Sequence, residues 1–259
     1  MEWSKRDPLK IAEARIDKEV IDKIKLEVEE ELRDAISYAE NADVEIIDSI
    51  YNETWSDRNV GSLLNSENIR CVESLNNGLR DLMHNDKNIV LLGEDIRDPY
   101  GGAFKVTKGL TSLYSDRVLN TPISEAGFLG LAIGLAMGGV KPIVEIMFGD
   151  FITLAFDQLL NHAAKFNWMY AGQVNVPLLI RIPMGGGRGY GATHSQSLEK
   201  YLIGIPNLRV LALSKIHNAG LLVSRILDGI NSPTILIENK KMYGEKLYIE
   251  DSGKINSVC

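Results

Sequence analysis

Glu125 occupies the position where a predicted strand gives way to a helix, and regularly spaced glycines follow it. Ser124 can cap this helix, and the helix dipole favours a carboxylate in the first turn. Taken alone, these features also fit a glutamate that only stabilises the start of a helix. Gly130, Gly134 and Gly138 recur every four residues and share one helix face. Because each interior glycine costs about 1 kcal/mol relative to alanine, we expect another helix to approach this face closely, within the domain or across a subunit contact.

From local sequence alone, three further residues fit ordinary structural positions: a surface loop for His194, and core packing for Met147 and Phe151. His194 lies in GATHSQS, directly after the stretch GGGRGYG, and a histidine can donate a hydrogen bond or transfer a proton. Met147 and Phe151 lie at a predicted strand end and helix start, where both residue types also fit core packing. The glycine-rich stretch lacks the Gly-Lys-Ser/Thr ending of a phosphate-binding P-loop, so no such loop is predicted there.

The elements that would position these residues alternate between strands and helices from about residue 69 onward. Predicted strands cover 88–92, 118–123, 142–148, 177–182, 208–213 and 234–238. Predicted helices cover 71–84, a stretch beginning at Glu125, 151–170 and 215–228. Because short apolar strands separated by such helices are typical of α/β folds, the sequence predicts a parallel sheet with helices on both faces.

The first part of the chain has a different pattern. Residues 17–42 are rich in Glu, Lys and Asp, and an apolar residue recurs at every fourth position: Val20, Ile24, Val28, Leu32 and Ile36. This spacing predicts a long surface helix with one apolar stripe, which we expect to dock on something because such a helix gains little stability alone. The predicted organisation is an N-terminal helical region at 1–56, a linker at 57–68, a main domain at 69–245 and a polar tail at 246–259.

Composition excludes several protein classes. The chain has 259 residues, 45% hydrophobic and 24% charged, with a formal net charge of −7, which is typical of a soluble globular protein. We find no basic stripe that would indicate nucleic-acid binding, no apolar run long enough to span a membrane, and no secretory signal in the first ten residues. The two cysteines, Cys71 and Cys259, indicate neither a disulfide framework nor a four-cysteine zinc site, so we expect a reduced, cytoplasmic setting.

Taken together, the motifs resemble one enzyme family. Glu125, with the glycines at 130 and 134 each followed by leucine, resembles the E-x4-G-Φ-x-x-G-Φ signature of thiamine-diphosphate enzymes. The segments LLGEDIRDPYGGAFKVTKGL, TPISEAGFLG, FDQLLNHAAK, GATHSQS and ENKKMYG resemble the β subunit of pyruvate and branched-chain 2-oxoacid dehydrogenases, part of the component called E1. The resemblance covers roughly residues 69–245 and keeps the motifs in order.

The resemblance implies a transketolase-like pyrimidine-binding fold, thiamine diphosphate as cofactor and roles for four residues. Glu125 would hydrogen-bond N1′ of the aminopyrimidine and favour the imino tautomer that removes the C2 proton. Phe151 would stack on that ring, and Met147 would make an apolar contact to it. His194 would lie near the substrate carbonyl or assist transfer to a lipoyl group. Apolar neighbours are expected to bury the Glu125 carboxyl: Ile123, Phe128 and Leu129.

The resemblance also has implications for the rest of the enzyme. RDPLKIAEARI and KIKLEVEEELRDAISYAENA resemble the C-terminal tail of the E1 α subunit, which implies a middle portion of a fused α/β E1, excised or naturally split. The magnesium-binding GDG motif of the family's diphosphate-binding domain is absent, the nearest text being Gly149-Asp150-Phe151. We therefore expect weak or no cofactor binding without a diphosphate-binding, E1 α-type partner that supplies Mg2+. Further expected partners are the E2 lipoyl domain and a second copy of the chain.

Other functions stay open at this point. Transketolase and deoxyxylulose-phosphate synthase share the pyrimidine-binding fold, although the HSQ and ENKKMYG motifs favour E1. A detached pyrimidine-binding domain could instead be an interaction scaffold that docks on a diphosphate-binding partner through its glycine-faced helix. The acyl substrate is open among pyruvate, branched-chain 2-oxoacids and acetoin, and no metal-ligand set stands out.

Overall fold

The computed structural model describes residues 6–43, 68–228 and 230–246. The chain divides into two units, Met1–Glu53 and Thr54–Cys259. The predicted linker and the predicted polar tail lie outside the described residues, apart from residues 68 and 246. The domain boundaries derived from the sequence therefore stay predictions.

Residues 6–43, the described part of the N-terminal unit, form two helices. Helix α1 (Pro8–Glu13) is capped by Asp7, and helix α2 (Lys18–Asn41) follows Asp17, whose carboxylate accepts a hydrogen bond from the backbone N–H of Glu19 at 2.9 Å. The long helix predicted from the fourfold apolar spacing is confirmed. None of its residues is buried, and the exposed fractions of the five stripe residues lie between 47% and 57%. Docking of this stripe stays a prediction.

The second unit is built on one sheet of six strands, all parallel, in the order β2-β1-β3-β4-β6-β5. The strands are β1 (Ile89–Gly93), β2 (Val118–Asn120), β3 (Lys141–Glu145), β4 (Leu179–Met184), β5 (Arg209–Ala212) and β6 (Thr234–Asn239). Every predicted strand is present, although β2 and β3 each end three residues earlier than predicted. The predicted parallel α/β fold is confirmed.

Helices cover both faces of this sheet. The α-helices are α3 (Cys71–Asn85), α4 (Leu110–Leu113), α5 (Glu125–Met137), α6 (Phe166–Met169), α7 (Glu199–Leu202) and α8 (Ala219–Leu227). Shorter turns of 3₁₀ helix occur at Gly149–Ala155, Ala192–His194 and Met242–Gly244, and a π-helix spans Gln158–Ala163. Among the described residues, no helix combines the length and the apolar character needed to cross a membrane.

Alternating side chains of the strands build a separate apolar layer on each face. One layer contains Leu91 and Leu236 together with residues of α3 and α8. The other contains Leu92 and Ile235 together with residues of α5 and of segment 149–163. Because both faces of the sheet are covered, its strands are apolar along most of their length, as is usual for parallel sheets.

Helices α3 and α8 touch through two glycines. A Cβ atom added at Gly78 would lie 2.4 Å from the Cα atom of Gly220, so there is no room for a methyl group. The Ser74 hydroxyl donates to the side-chain oxygen of Asn218 at 2.9 Å and accepts from the backbone N–H of Gly220 at 3.0 Å. Nothing in the sequence pattern indicated this contact, because the glycines are far apart along the chain.

The segment after β3 differs from its prediction. The expectation of one helix over 151–170 is wrong, because the chain forms the 3₁₀ helix Gly149–Ala155, the π-helix Gln158–Ala163 and then the single turn α6. Four buried residues that pack into one apolar layer are separated by three, four and four positions: Ile152, Ala155, Leu159 and Ala163. Apolar residues spaced by three or four positions fit tight and wide helical turns alike, so the pattern could not distinguish the three helix types.

A network of charged side chains is buried near the carboxyl ends of β3, β4 and β6. Arg181 is fully buried, and its guanidinium donates to Glu238 at 2.8 and 2.7 Å and to Glu145 at 2.7 Å. The Tyr243 hydroxyl also donates to the Glu238 carboxylate. Because one guanidinium hydrogen-bonds both carboxylates, each negative charge has a positively charged partner away from water.

The first and last described segments of this unit, near residues 70 and 246, lie side by side. Arg70 and Lys246 form an antiparallel β-bridge, and the backbone N–H of Cys71 donates to the carbonyl oxygen of Glu245 at 2.9 Å. The Cys71 thiol is buried and free. These contacts join the start of α3 to the segment that follows β6.

Candidate active site

The candidate site lies where the strand order changes direction, since β1 has β2 on one side and β3 on the other. In open parallel sheets, ligands bind at such a switch point, outside the carboxyl ends of the strands. Glu94 directly follows β1, and Glu125 begins α5 after β2. Met147 follows β3, and His194 lies in the loop after β4. The fold therefore brings the predicted site residues to one edge of the sheet.

Glu125 is the first residue of α5, as the sequence predicts, and the Ser124 hydroxyl caps the helix by accepting from a backbone N–H of its first turn at 3.3 Å. The Glu125 side chain is only 5% exposed, and it takes part in none of the hydrogen bonds or ion pairs found among the described residues. Phe128 and Leu129 are buried on the same helix. The expectation that Ile123 helps to bury Glu125 is wrong, because Ile123 precedes the cap and is 87% exposed.

Glu94 is a second buried carboxyl at this edge, and it was not among the residues predicted from the sequence. Its side chain is 6% exposed, and its Oε1 atom has no hydrogen-bond partner among the described residues. Burial raises the pKa of Glu94 to about 7, and the negative charges of Glu125 and Asp95 add to that shift. A carboxyl with this pKa can gain or lose a proton near neutral pH. Its only signal in the sequence is an acidic residue directly after an apolar strand.

An aromatic cluster lies at the neighbouring strand ends. The ring centroid of His194 is 4.8 Å from that of Phe148 and 5.1 Å from that of Phe151, and both pairs are nearly perpendicular. Phe148 and Phe151 also meet edge to face, at 6.3 Å. Such edge-to-face contacts are favourable. The structure therefore brings Phe151 and His194 together, whereas Met147 is half-buried just after β3 and has no part in these ring contacts.

The loop that carries His194 is attached to the sheet by two buried charged residues. The Lys240 ammonium group donates to the carbonyl oxygen of His194 at 2.5 Å. The Asp150 carboxylate accepts two hydrogen bonds from Gln196, from the backbone N–H at 3.2 Å and from the side-chain amide at 2.8 Å. Neither Lys240 nor Asp150 was predicted as a site residue, because the pairing depends on contacts between distant parts of the sequence.

The glycine face of α5 is open within the described part of the chain. A Cβ atom added at Gly134 would meet nothing within 4 Å, and one at Gly130 would meet only the side chain of Gln158 at 3.9 Å. Close packing within the domain therefore does not explain these two glycines. The prediction that Gly138 is an interior helix glycine is wrong, since α5 ends at Met137 and Gly138 is its cap. The exposed face also carries Leu131, which is 53% exposed.

The arrangement is suited to binding a flat heteroaromatic ring. Two buried carboxyls can each hydrogen-bond a ring nitrogen or an amino group, and an adjacent aromatic side chain can stack on the ring face. A histidine nearby can donate to a carbonyl oxygen of a second molecule. In the described ranges of the chain, no three His, Cys, Asp or Glu side chains are grouped so that they could hold a metal ion.

Comparisons with known proteins find relatives over most of the chain. The family model described as transketolase, pyrimidine binding domain, matches residues 67–246. The mitochondrial pyruvate dehydrogenase E1 component subunit beta-1 of Arabidopsis thaliana is 41% identical over 189 residues, which cover 72% of this chain and 51% of that protein. The pyruvate dehydrogenase E1 component subunit beta of Gracilaria tenuistipitata var. liui is 46% identical over 176 residues, with coverages of 67% and 54%.

Two further relatives extend the comparison. The beta subunit of acetoin:2,6-dichlorophenolindophenol oxidoreductase from Cupriavidus necator is 40% identical over 181 residues, covering 66% of this chain and 53% of that protein. A solved structure described as a split gene transketolase, inactive beta4 tetramer, is similar in fold with a TM-score of 0.55 at 19% identity, covering 72% of this chain and 56% of that one. The chain spans about half the length of the curated relatives it matches.

Proposed function

The chain belongs to the transketolase pyrimidine binding domain family, and we propose that it is the pyrimidine-binding half of a thiamine-diphosphate-dependent E1. This E1 would decarboxylate a 2-oxoacid and reductively acylate a lipoyl domain. The pyruvate dehydrogenase E1 beta relatives support this choice over other enzymes that share the fold. Because a beta subunit of acetoin oxidoreductase is similarly related, the choice of acyl substrate is left to experiment.

The observation that carries the proposal is the Glu125 carboxyl at the switch-point edge of the sheet, in a residue that is 5% exposed and has no hydrogen-bond or ion-pair partner found among the described residues. A ring nitrogen bound at this edge would supply the hydrogen-bond partner that this carboxyl lacks. Glu125 would hydrogen-bond N1′ of the aminopyrimidine, Phe151 would stack on the ring, and Met147 would contact its apolar side. The orphaned oxygen of Glu94 offers one further acceptor at the same edge.

Three residues of the chain would take part in catalysis: Glu125, Glu94 and His194. When bound, thiamine diphosphate supplies the electron sink needed for decarboxylation of a 2-oxoacid. Glu125 would hold a proton at N1′ and so set the tautomer of the aminopyrimidine. Glu94, with its pKa near neutral, would take up or return a proton at the same edge. His194 would donate a hydrogen bond to the substrate carbonyl or assist transfer to the lipoyl group.

The remaining parts of the site would come from partners. A diphosphate-binding, E1 α-type domain would hold the diphosphate together with Mg2+, and the E2 lipoyl domain would receive the acyl group. The open face at Gly130 and Gly134 supports association with a further subunit, since backbone can approach backbone there. The resemblance of RDPLKIAEARI and KIKLEVEEELRDAISYAENA to an E1 α-subunit tail would fit a fused α/β arrangement. A cytoplasmic setting is proposed separately, from the composition of the chain.

An interaction scaffold is the second candidate function. The observation that favours it is the exposure of large apolar side chains on α5 and close to it in the sequence, since Leu131, Leu154 and Ile123 are 53%, 60% and 87% exposed. Exposed apolar side chains of this size would favour contact with another protein if they form one patch. A scaffold would use this surface without using the Glu125 carboxyl.

The test is a calorimetric titration of thiamine diphosphate and Mg2+ into the full chain, alone and with its diphosphate-binding partner. The proposed function predicts binding only with the partner, together with decarboxylation of a 2-oxoacid. Glu125→Gln keeps the shape of the side chain but changes its acid–base chemistry. This variant should retain cofactor binding within about tenfold and lose at least about a hundredfold in decarboxylation rate.

Three outcomes would contradict the proposal in different ways. Tight binding by the chain alone would mean that it contains a complete cofactor site. Partner association without any cofactor binding would favour the scaffold. Full decarboxylation activity in Glu125→Gln would exclude the role assigned to this carboxyl, whatever the substrate is.

A further inference from the structure

The loop that carries His194 has little stiffness of its own. Gly185, Gly187, Gly189 and Gly191 all have φ angles between 76° and 89°, a range that favours glycine over other residues. Glycine-rich backbone loses more conformational freedom on ordering than other backbone, so a fixed position for His194 requires contacts outside the loop.

Lys240 provides one such contact from beneath the loop. Its side chain is fully buried and donates to the carbonyl oxygen of His194, while its ammonium group lies 5.3 Å above the Phe148 ring centroid. The backbone carbonyl of Lys240 in turn accepts a hydrogen bond from the Arg188 guanidinium at 2.9 Å. Two points of the loop, residues 188 and 194, are thus attached to one residue that follows β6.

Asp150 provides a second contact to the loop that carries His194. It is 5% exposed, and its Oδ1 atom accepts both hydrogen bonds from Gln196, two residues after His194. Its Oδ2 atom is buried and has no partner among the described residues. Buried charges are costly unless they are hydrogen-bonded, so both side chains are more favourable with the loop in place than without it.

We propose that Lys240 and Asp150 are positioning residues that latch this loop onto the sheet and thereby hold the His194 ring against Phe151. Hydrogen bonds to the carbonyl oxygen of His194 and to the backbone N–H of Gln196 fix the backbone at the ring-bearing residue and directly after it. The ring itself is held by edge-to-face contacts with Phe148 and Phe151. Burial lowers the pKa of Lys240 and the charge of Asp150 opposes that shift, which links the two residues electrostatically. The catalytic consequence, though not the latch itself, rests on the proposed function.

The latch can be tested without cofactor, by limited trypsin digestion of the full chain. Arg188 lies exposed in the loop, so cleavage after it reports loop opening, whereas cleavage after the fully buried Arg181 reports global unfolding in the same digest. Lys240→Met should increase cleavage after Arg188 by about tenfold or more, because it removes a charge-assisted hydrogen bond. Cleavage after Arg181 should rise far less.

Matched variants separate the latch from a general loss of stability. Gln196→Ala removes one hydrogen bond to Asp150 without changing a buried residue, and it should increase cleavage after Arg188 by a few-fold. Asp150→Asn keeps an acceptor oxygen and should restore most of the protection that Asp150→Ala loses. Lys87→Met, which changes an exposed lysine at the opposite end of the sheet, should have no effect.

Two digestion results would overturn the latch. One is unchanged cleavage after Arg188 in both Lys240→Met and Gln196→Ala. The other is a rise after Arg188 that is no larger than the rise after Arg181.

The activity of the chain with its partner, cofactor and Mg2+ tests the catalytic consequence separately. Lys240→Met should lower kcat for the 2-oxoacid about as much as His194→Ala does, while the Kd for thiamine diphosphate stays within about threefold, since the latch acts on a loop and leaves Glu125 in place. If Lys240→Met has a normal kcat although trypsin cleavage after Arg188 shows that its loop is open, the positioning role is overturned. A wild-type chain that is latched but has no 2-oxoacid activity would reject the proposed function and leave the latch standing.

Discussion

Replacing the glycines on the open face of α5 by alanine should make the isolated chain more stable and its association with another subunit weaker. Gly130→Ala and Gly134→Ala add methyl groups where the described structure has no atom closer than 3.9 Å. Alanine is favoured over glycine in a helix interior by about 1 kcal/mol. The double variant should therefore increase the free energy of unfolding of the isolated chain by about 2 kcal/mol.

Association through the same face should become weaker. Added methyl groups prevent the close backbone approach that glycines permit, and overpacking of a contact typically costs about 1–3 kcal/mol. That cost corresponds to an increase in the dissociation constant of about fivefold to a hundredfold. A substitution that stabilises the monomer would thus damage the assembly.

The assay is urea unfolding at a concentration at which the chain is monomeric, paired with sedimentation equilibrium at higher concentration. Gly78→Ala is the control for a glycine packed within the chain, because its methyl group would lie 2.4 Å from the Cα atom of Gly220. This control should lose about 1–3 kcal/mol of stability. A destabilised double variant would refute the reasoning, since it would mean that another part of the chain packs on the glycine face. Unchanged association would show that subunits meet elsewhere.

Three further predictions concern buried ionisable groups. Burial raises the pKa of Glu94 from 4.5 to about 7, so its charge makes the folded chain progressively less stable as the pH rises through that window. Glu94→Gln should remove this loss, so its free energy of unfolding at pH 8 should exceed that of wild type by on the order of 2 kcal/mol. Urea unfolding from pH 4 to 8 measures this difference. Parallel plots of unfolding free energy against pH for the two proteins would contradict the prediction. Arg181→Met should lower the free energy of unfolding by about 3–5 kcal/mol, because it leaves two buried carboxylates uncompensated. Lys215→Met, which breaks an exposed ion pair, should cost about 0–1 kcal/mol, and equal losses for the two variants would be inconsistent with a buried network. Burial raises the pKa of the Cys71 thiol to about 12, so iodoacetamide at pH 8 should label this residue only after unfolding, as peptide mapping would detect.

The sequence was sufficient to predict those elements whose local pattern agrees with their final environment. The strands are short apolar runs because they are covered on both faces, and such runs are visible in the sequence. The start of α5 was predictable as well, since Ser124 and Glu125 are residue types that favour the first turn of a helix. The site residues Glu125, Phe151 and His194 were chosen by family resemblance, and the fold brings them to one edge of the sheet.

Other features depend on contacts between distant residues and could not be predicted. The helix expected from the lysine at 215 begins only at Ala219, because Asn218 caps it there while also bonding Ser74 of α3. In the sequence, Lys240 follows an apolar strand and resembles a solvent-exposed lysine. Only the folded structure shows that its ammonium group donates to the carbonyl oxygen of His194. Glu94 likewise resembles an ordinary strand-end carboxylate, and only its burial beside Glu125 makes it unusual.

The bridge between Arg70 and Lys246 affects how the α/β unit can be joined to other polypeptide segments. Residues 70 and 246 lie side by side, so the part of the unit between them has adjacent ends. Domains whose ends lie close together tolerate insertion into other chains and relocation within them. Recombination at these two positions would move the whole sheet intact, with no strand exchanging its neighbour. The unit between these two positions could therefore keep its fold in longer and in shorter chains.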